Sequence, residues 1–108
     1  MRVLLDQGTP APLRRALRDH SVATAFEQGW AEFANGELLA AAEQAFDVLV
    51  TTDQDLRYQQ NLADRRLAIL VLPTTSWPRL EPDAATIATA IAALRPGELQ
   101  EWAFPTRH

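Results

Sequence analysis

Cysteine is absent from the 108 residues, so neither a disulfide nor a thiolate metal site can form, in keeping with a cytoplasmic location. Lysine is absent as well: all ten basic residues are arginine. Glycine occurs four times and never as Gly-x-Gly, which removes glycine-rich nucleotide loops from consideration. The two histidines, His20 and His108, are far apart, and no zinc spacing or Ser/His/Asp arrangement exists. No apolar run approaches the ~20 residues that cross a bilayer, so no membrane partner is expected. Val3-Leu4-Leu5, bracketed by Arg2 and Asp6, is too short for a signal peptide. A net charge of −4 lacks the general basic footprint of a nucleic-acid binder. It leaves room for a nuclease, because a carboxylate cluster that binds metal is itself a sink of negative charge.

What is present reads as one domain over residues 1–108, with 47% apolar residues to build a core. Phe46-Asp47-Val48-Leu49-Val50-Thr51-Thr52-Asp53-Gln54-Asp55-Leu56 is the organising stretch: an apolar run that ends in two threonines and two carboxylates. Such a run fits a strand buried on both faces of a parallel sheet. Residues 2–5 repeat the logic and run into Asp6. Further strands are expected at 21–25, 47–52 and 67–72, with an edge strand within 98–104. Helices are expected over 10–19, capped by Thr9, over 35–45, capped by Asn35, and over 83–94, with a short helical stretch within 53–63. Strands alternating with helices predict an α/β fold: three layers, with a mostly parallel four- or five-stranded sheet. Strands 2–5 and 47–52 should be neighbours, with 67–72 flanking the second.

Asp6, Glu37, Asp53 and Asp55 form the candidate catalytic and metal-binding set. Hard divalent cations such as Mg²⁺ take oxygen ligands and are usually held by one or two carboxylates and water. In phosphodiester hydrolysis such an ion activates the attacking water and stabilises the leaving oxygen. Asp6 and Asp53 stand where parallel strands present ligands, beyond their carboxyl ends. Glu37 also sits where a helix N-terminus favours an acid in any case. Arg14 and Arg57, with Arg15, Arg18, Arg65 and Arg66, are candidates for phosphate contact. Tyr58, Gln59, Gln60 and Asn61, just past the acids, are candidates for stacking on or hydrogen-bonding to a base or ribose of RNA.

Met1-Arg2-Val3-Leu4-Leu5-Asp6, then Asn35-Gly36-Glu37-Leu38-Leu39, then Val48 to Leu56 with Thr51-Thr52-Asp53-Gln54-Asp55 resemble the successive motifs of a short PIN-like domain family related to the VapC-type toxin nucleases. Tyr58-Gln59-Gln60-Asn61-Leu62 is similar to one branch of it. The resemblance covers residues 1 to about 72. It implies an α/β/α fold, acids that bind Mg²⁺ or Mn²⁺, and ribonuclease activity as the toxin of a toxin–antitoxin pair, with an antitoxin protein as partner. By position, Asp6 matches the family's first acid, Asp53 the acid of its Thr-x-Asp motif, and Asp55 a frequent second acid there. Two positions depart from the pattern. Asn35 stands where relatives often have an acid at the start of the middle helix, and Gln7 stands where they often have Glu. Glu37 must then substitute, or the site loses a ligand.

Two other functions compete. A catalytically silent PIN-like module that binds a partner protein fits the missing acids. A signalling receiver also places acids after its first and third strands and a hydroxyl after the fourth, for which Thr74 or Thr75 would serve. It needs a lysine after the fifth, and the chain has none. The proline-rich stretch 73–82 and Trp102-Ala103-Phe104-Pro105 carry apolar surface, from which a homodimer is expected.

Overall fold

Three short runs of Val, Leu, Ile and Ala form the centre of the sheet: β1 (Arg2–Leu5), β3 (Val48–Thr51) and β4 (Ala68–Val71). A computed structural model describes residues 1–56 and 65–105 of the chain. Every residue of β3 and β4 is buried, as a central parallel strand covered on both faces requires. β2 (Ser21–Thr24) and β5 (Leu99–Glu101) are the edges. The order is β2-β1-β3-β4-β5, and all four pairings are parallel. The expected neighbours are therefore met: β1 lies beside β3, and β4 flanks β3.

Alternation along the strands divides the core in two. Val3, Leu5, Val48, Val50 and Leu70 point to one face, where they meet Leu13, Ile87, Ile91 and Trp102. Leu4, Leu49, Ile69 and Val71 point to the other and meet Leu38, Leu39 and Ala42. The second group belongs to α1 (Asn35–Ala45), and Ile87 and Ile91 belong to α3 (Ala84–Ala93). Helices thus cover both faces of one parallel sheet.

The segment after β1 differs from its expected helix. Ala11–Ala16 is a 3₁₀ turn, with Leu13 N–H donating to the Pro10 carbonyl and Leu17 N–H to that of Arg14. Pro10 and Pro12 remove two donors from so short a segment, which leaves bonds of the tighter helix. Its inward residues are the expected ones, Leu13 and Leu17 being fully buried. Thr9 is no cap: its hydroxyl is buried and donates to the Val50 carbonyl at 2.9 Å. The cap of α1 moves by one residue as well, to Ala34, and Asn35 is the first helical residue.

The proline-rich stretch holds a helical turn, α2 (Trp77–Leu80), that buries Leu80 and packs Trp77 on the core. Trp102 is buried, Phe104 lies edge-on to it at 5.2 Å, and the Arg79 guanidinium sits 5.2 Å above the Phe104 ring. The aromatic residues from which a homodimer was expected therefore pack largely within this chain. Between α3 and β5, Gly97 has φ +79°, and a Cβ there would stand 2.8 Å from the Arg65 carbonyl oxygen. Among the described residues no helix is long and apolar enough to cross a membrane.

Candidate functional site

The chain runs from β1 outward to β2, then returns through α1 to β3 on the other side of β1. That reversal is a topological switch point, and the carboxyl ends of β1 and β3 beside it are where open α/β sheets hold their ligands. Asp6 is the first residue past β1, and Asp53 is the second past β3. Register brings Leu5 beside Val50, and Asp6 N–H donates to the Val50 carbonyl at 2.9 Å.

Thr51 joins the two aspartates. Its side chain is 1% exposed, and its hydroxyl donates to Asp6 Oδ2 at 2.8 Å. The Thr51 hydroxyl oxygen in turn accepts the Asp53 main-chain N–H at 3.1 Å. A hydroxyl at the buried end of an apolar strand needs such partners, because leaving it unpaired would cost about 1–3 kcal/mol. Asp6 Oδ1 accepts the Gln7 N–H at 2.7 Å. Asp53 Oδ1 accepts the Asp55 N–H at 3.0 Å, and Asp53 Oδ2 accepts the Asn35 amide at 2.6 Å. Among the described residues, each of these carboxylate oxygens accepts one hydrogen bond, and an ionised carboxylate oxygen can accept more than one. Asp6, Asn35 and Asp53 are all half-buried at this edge.

The other two candidate acids are placed differently. Glu37 is exposed, and its carboxylate accepts the Ala34 N–H at 3.3 Å, closing the first turn of α1 as a third-position glutamate does in a capping box. Asp55 is exposed and meets Asp53 through its main chain, in an Asx turn. Among the described residues, no three Asp, Glu or His side chains come together closely enough to hold a metal ion. Asp6 and Asp53 are hard oxygen donors, the ligand type that Mg²⁺ and Mn²⁺ take. Of the two polar residues in the first turn of α1, Asn35 donates its amide to Asp53, while Glu37 accepts from the Ala34 N–H.

Thr51 and Asn35 were not among the acids singled out from sequence. The signal for Thr51 was a hydroxyl residue closing a buried strand two residues before Asp53. For Asn35 it was the polar start of a helix that the topology must return to the same edge. Gly8 is a further participant: a Cβ there would stand 2.7 Å from the Thr52 hydroxyl. Arg14 is engaged at the edge of β2, with Glu27 and the Val22 carbonyl. Arg57, Tyr58, Gln59, Gln60 and Asn61 lie outside the described residues.

A cleft of about 480 Å³ lies at the opposite, amino end of the sheet, lined by Phe46, Asp47, Glu43 and Arg66 among others. Its acids already have partners: Asp47 accepts the Arg2 N–H at 2.8 Å, and Glu43 accepts the Arg66 N–H at 2.8 Å. Glu43 also pairs with the Arg65 guanidinium at 3.3 Å. The carboxylates that converge on one hydroxyl stand at the other, carboxyl edge.

Fold and site together define an all-parallel α/β domain with a carboxylate pair at its switch point. Comparison of the chain with protein-family models, with curated proteins and with solved structures found no match in any of the three.

Proposed function

We propose that the chain is a metal-dependent ribonuclease of PIN-like, three-layer fold. The observation that carries this reading is the convergence of Asp6 and Asp53 on one Thr51 hydroxyl at the switch point of the sheet. The PIN-like motifs of the sequence support it from a second side and attach to it the role of a toxin restrained by an antitoxin. Asp6 and Asp53 would hold the Mg²⁺ or Mn²⁺ ion, which when bound lowers the pKa of a water and offsets charge on the phosphoryl group.

The remaining work falls to the chain. Thr51 holds the Asp6 carboxylate by its hydroxyl, and the Asn35 amide holds that of Asp53, so both acids would meet a cation already oriented. Partial burial lowers the local dielectric and strengthens the pull of both carboxylates on a cation.

A second reading, a catalytically silent PIN-like module that binds a partner protein, is favoured by one observation: no third acid joins the pair among the described residues. Single-turnover cleavage of a mixed RNA pool with Mn²⁺ or with EDTA separates the two. The nuclease cleaves with Mn²⁺, stops with EDTA, and loses at least ~100-fold in rate in Asp6→Asn and Asp53→Asn, the scale of losing groups that stabilise a transition state. Equal rates in the parent and Asp6→Asn assign the activity elsewhere. A parent inert with every divalent cation leaves the silent module.

A further inference from the structure

The segment between β2 and α1, residues 25–34, begins and ends at the acid pair. Ala25 N–H donates to the Leu5 carbonyl at 2.8 Å, which sets Ala25 beside Asp6. At the far end Asn35 reaches Asp53 with its amide. Among the described residues three large apolar side chains are exposed, Met1, Phe26 and Phe33, and two of them belong to this segment. Phe26, one residue past Ala25, is 77% exposed, and Phe33, two residues before Asn35, is 38% exposed. Chain length alone keeps Phe26 within about 4 Å of Ala25, and Phe33 within about 7 Å of Asn35, main chain to main chain.

An exposed apolar residue by itself is ordinary, but both of these rings are held in place. Thr24 and Glu27 close a capping box around the turn that carries Phe26: Glu27 N–H donates to the Thr24 hydroxyl at 3.1 Å, and the Glu27 carboxylate accepts the Thr24 N–H at 2.9 Å. Arg14 pairs with that carboxylate. The turn ends as a helix does, with Trp30 N–H donating to the Ala25 carbonyl at 2.8 Å, Gly29 N–H to that of Phe26 at 3.0 Å, and Gly29 at φ +79°. Phe33 lies 11° from parallel to Trp30 with ring centroids 6.1 Å apart, and Trp30 in turn meets Phe46 edge-on. Both rings are thus ordered before any partner arrives, which lowers the cost of a contact made on them.

We propose that Phe26 and Phe33 are stacking platforms for unpaired RNA bases, Phe26 on the Asp6 side of the acid pair and Phe33 on the Asp53 side. This rests on the reading of that pair as a ribonuclease site. Every base has a π-face to lay on an aromatic ring, so the contact tolerates any sequence. It also needs no cation from the protein, which suits a chain of net charge −4. Bases reach such rings only where they are splayed out of a duplex, so the substrate class is single-stranded RNA or an unpaired loop.

Fluorescence anisotropy of a short labelled single-stranded RNA tests this on the full chain in EDTA, which stops metal-dependent cleavage and leaves stacking intact. The parent is expected to bind the single strand more tightly than the same strand paired with its complement. Phe26→Ala is expected to keep the parental thermal midpoint and to weaken binding about fivefold or more, the scale of losing one stacked base. Phe33→Ala should weaken it likewise, and Phe26→Trp, which keeps a ring, should bind as the parent does. The proposal is overturned by a parent that does not bind the single strand. It is equally overturned if Phe26→Ala and Phe33→Ala both bind as the parent does, which would leave the rings to a protein partner. Single-turnover cleavage with Mn²⁺ is read separately on the same chains. Cleavage with binding unaltered in both variants removes the platforms and keeps the nuclease, whereas ring-dependent binding without cleavage keeps the platforms and removes the nuclease.

Discussion

At the scale of single residues, the site depends on Thr51 as much as on the acids it joins. Thr51→Val keeps the shape of the side chain and removes the oxygen that Asp6 and the Asp53 N–H share. The variant should lose about 1 kcal/mol in urea unfolding, because the half-buried Asp53 N–H loses its acceptor and Asp6 loses a donor. Where the chain cleaves RNA, the rate should fall by about 10–100-fold, the usual cost of removing a group that orients a metal ligand. Thr51→Ser keeps the oxygen and should recover most of the rate. That recovery separates a loss of orientation from a loss of packing. Asn35 holds Asp53 in the same way, and its amide reaches the carboxylate without adding a charge.

At the scale of the element, β2 is shaped by the pair at its edge. Glu27 is exposed, and its pKa is held below the usual carboxylate value of 4.5, first by the Arg14 side chain and then by the Thr24 N–H. A folded pKa below the unfolded one means that the charged form is favoured in the native state. Its contribution is therefore full above 4.5 and disappears as pH falls through the lower, folded value. Thermal midpoints of the parent and Glu27→Gln should differ at neutral pH, the parent being higher, and should converge as the solution is acidified below 4.5. A gap that stays constant down to pH 3 would show that the charge of Glu27 contributes nothing. The helix after β1 illustrates the competing influence within an element: apolar spacing set which residues point inward, while Pro10 and Pro12 set the kind of helix.

At the scale of the whole molecule, ligand and fold are linked. A cation that binds the native carboxylates and not the unfolded chain stabilises by RT ln(1 + [L]/Kd), about 2.7 kcal/mol at a hundredfold excess over Kd. Mn²⁺ should therefore raise the thermal midpoint of the parent, and EDTA should reverse the rise. Asp6→Asn and Asp53→Asn should show little or no rise, since each leaves a single carboxylate at the switch point. This measurement reads the site without reference to RNA and applies equally to the nuclease and the silent module.

Much of the sheet was legible in the sequence because a strand buried on both faces must be apolar throughout, and runs such as Val48-Leu49-Val50 have few other uses. The same runs located Asp6 and Asp53, since a polar residue that ends a buried strand falls at the sheet's edge. Covalent order could not reveal that Asn35, eighteen residues before Asp53, turns its amide onto that carboxylate, nor that Glu37, two residues further on, turns away to close its own helix. Both side chains are polar and both stand in the first turn of α1. Which one reaches the site follows from the rotation of that helix against the sheet, and Leu38, Leu39 and Ala42 set this rotation by packing on Leu4, Leu49 and Ile69. The destiny of Trp102 and Phe104 was decided in the same way. Sequence marks them as apolar, but only the docking of β5 beside β4 brings them under α2 and Arg79, where Trp102 is buried and Phe104 half-buried. The sequence by itself determined which residues are buried along each strand and which strands end in acid, because hydrophobic burial and alternation are local. The tertiary structure decided which polar groups meet, because hydrogen bonds are short and directional and depend on where distant segments come to rest.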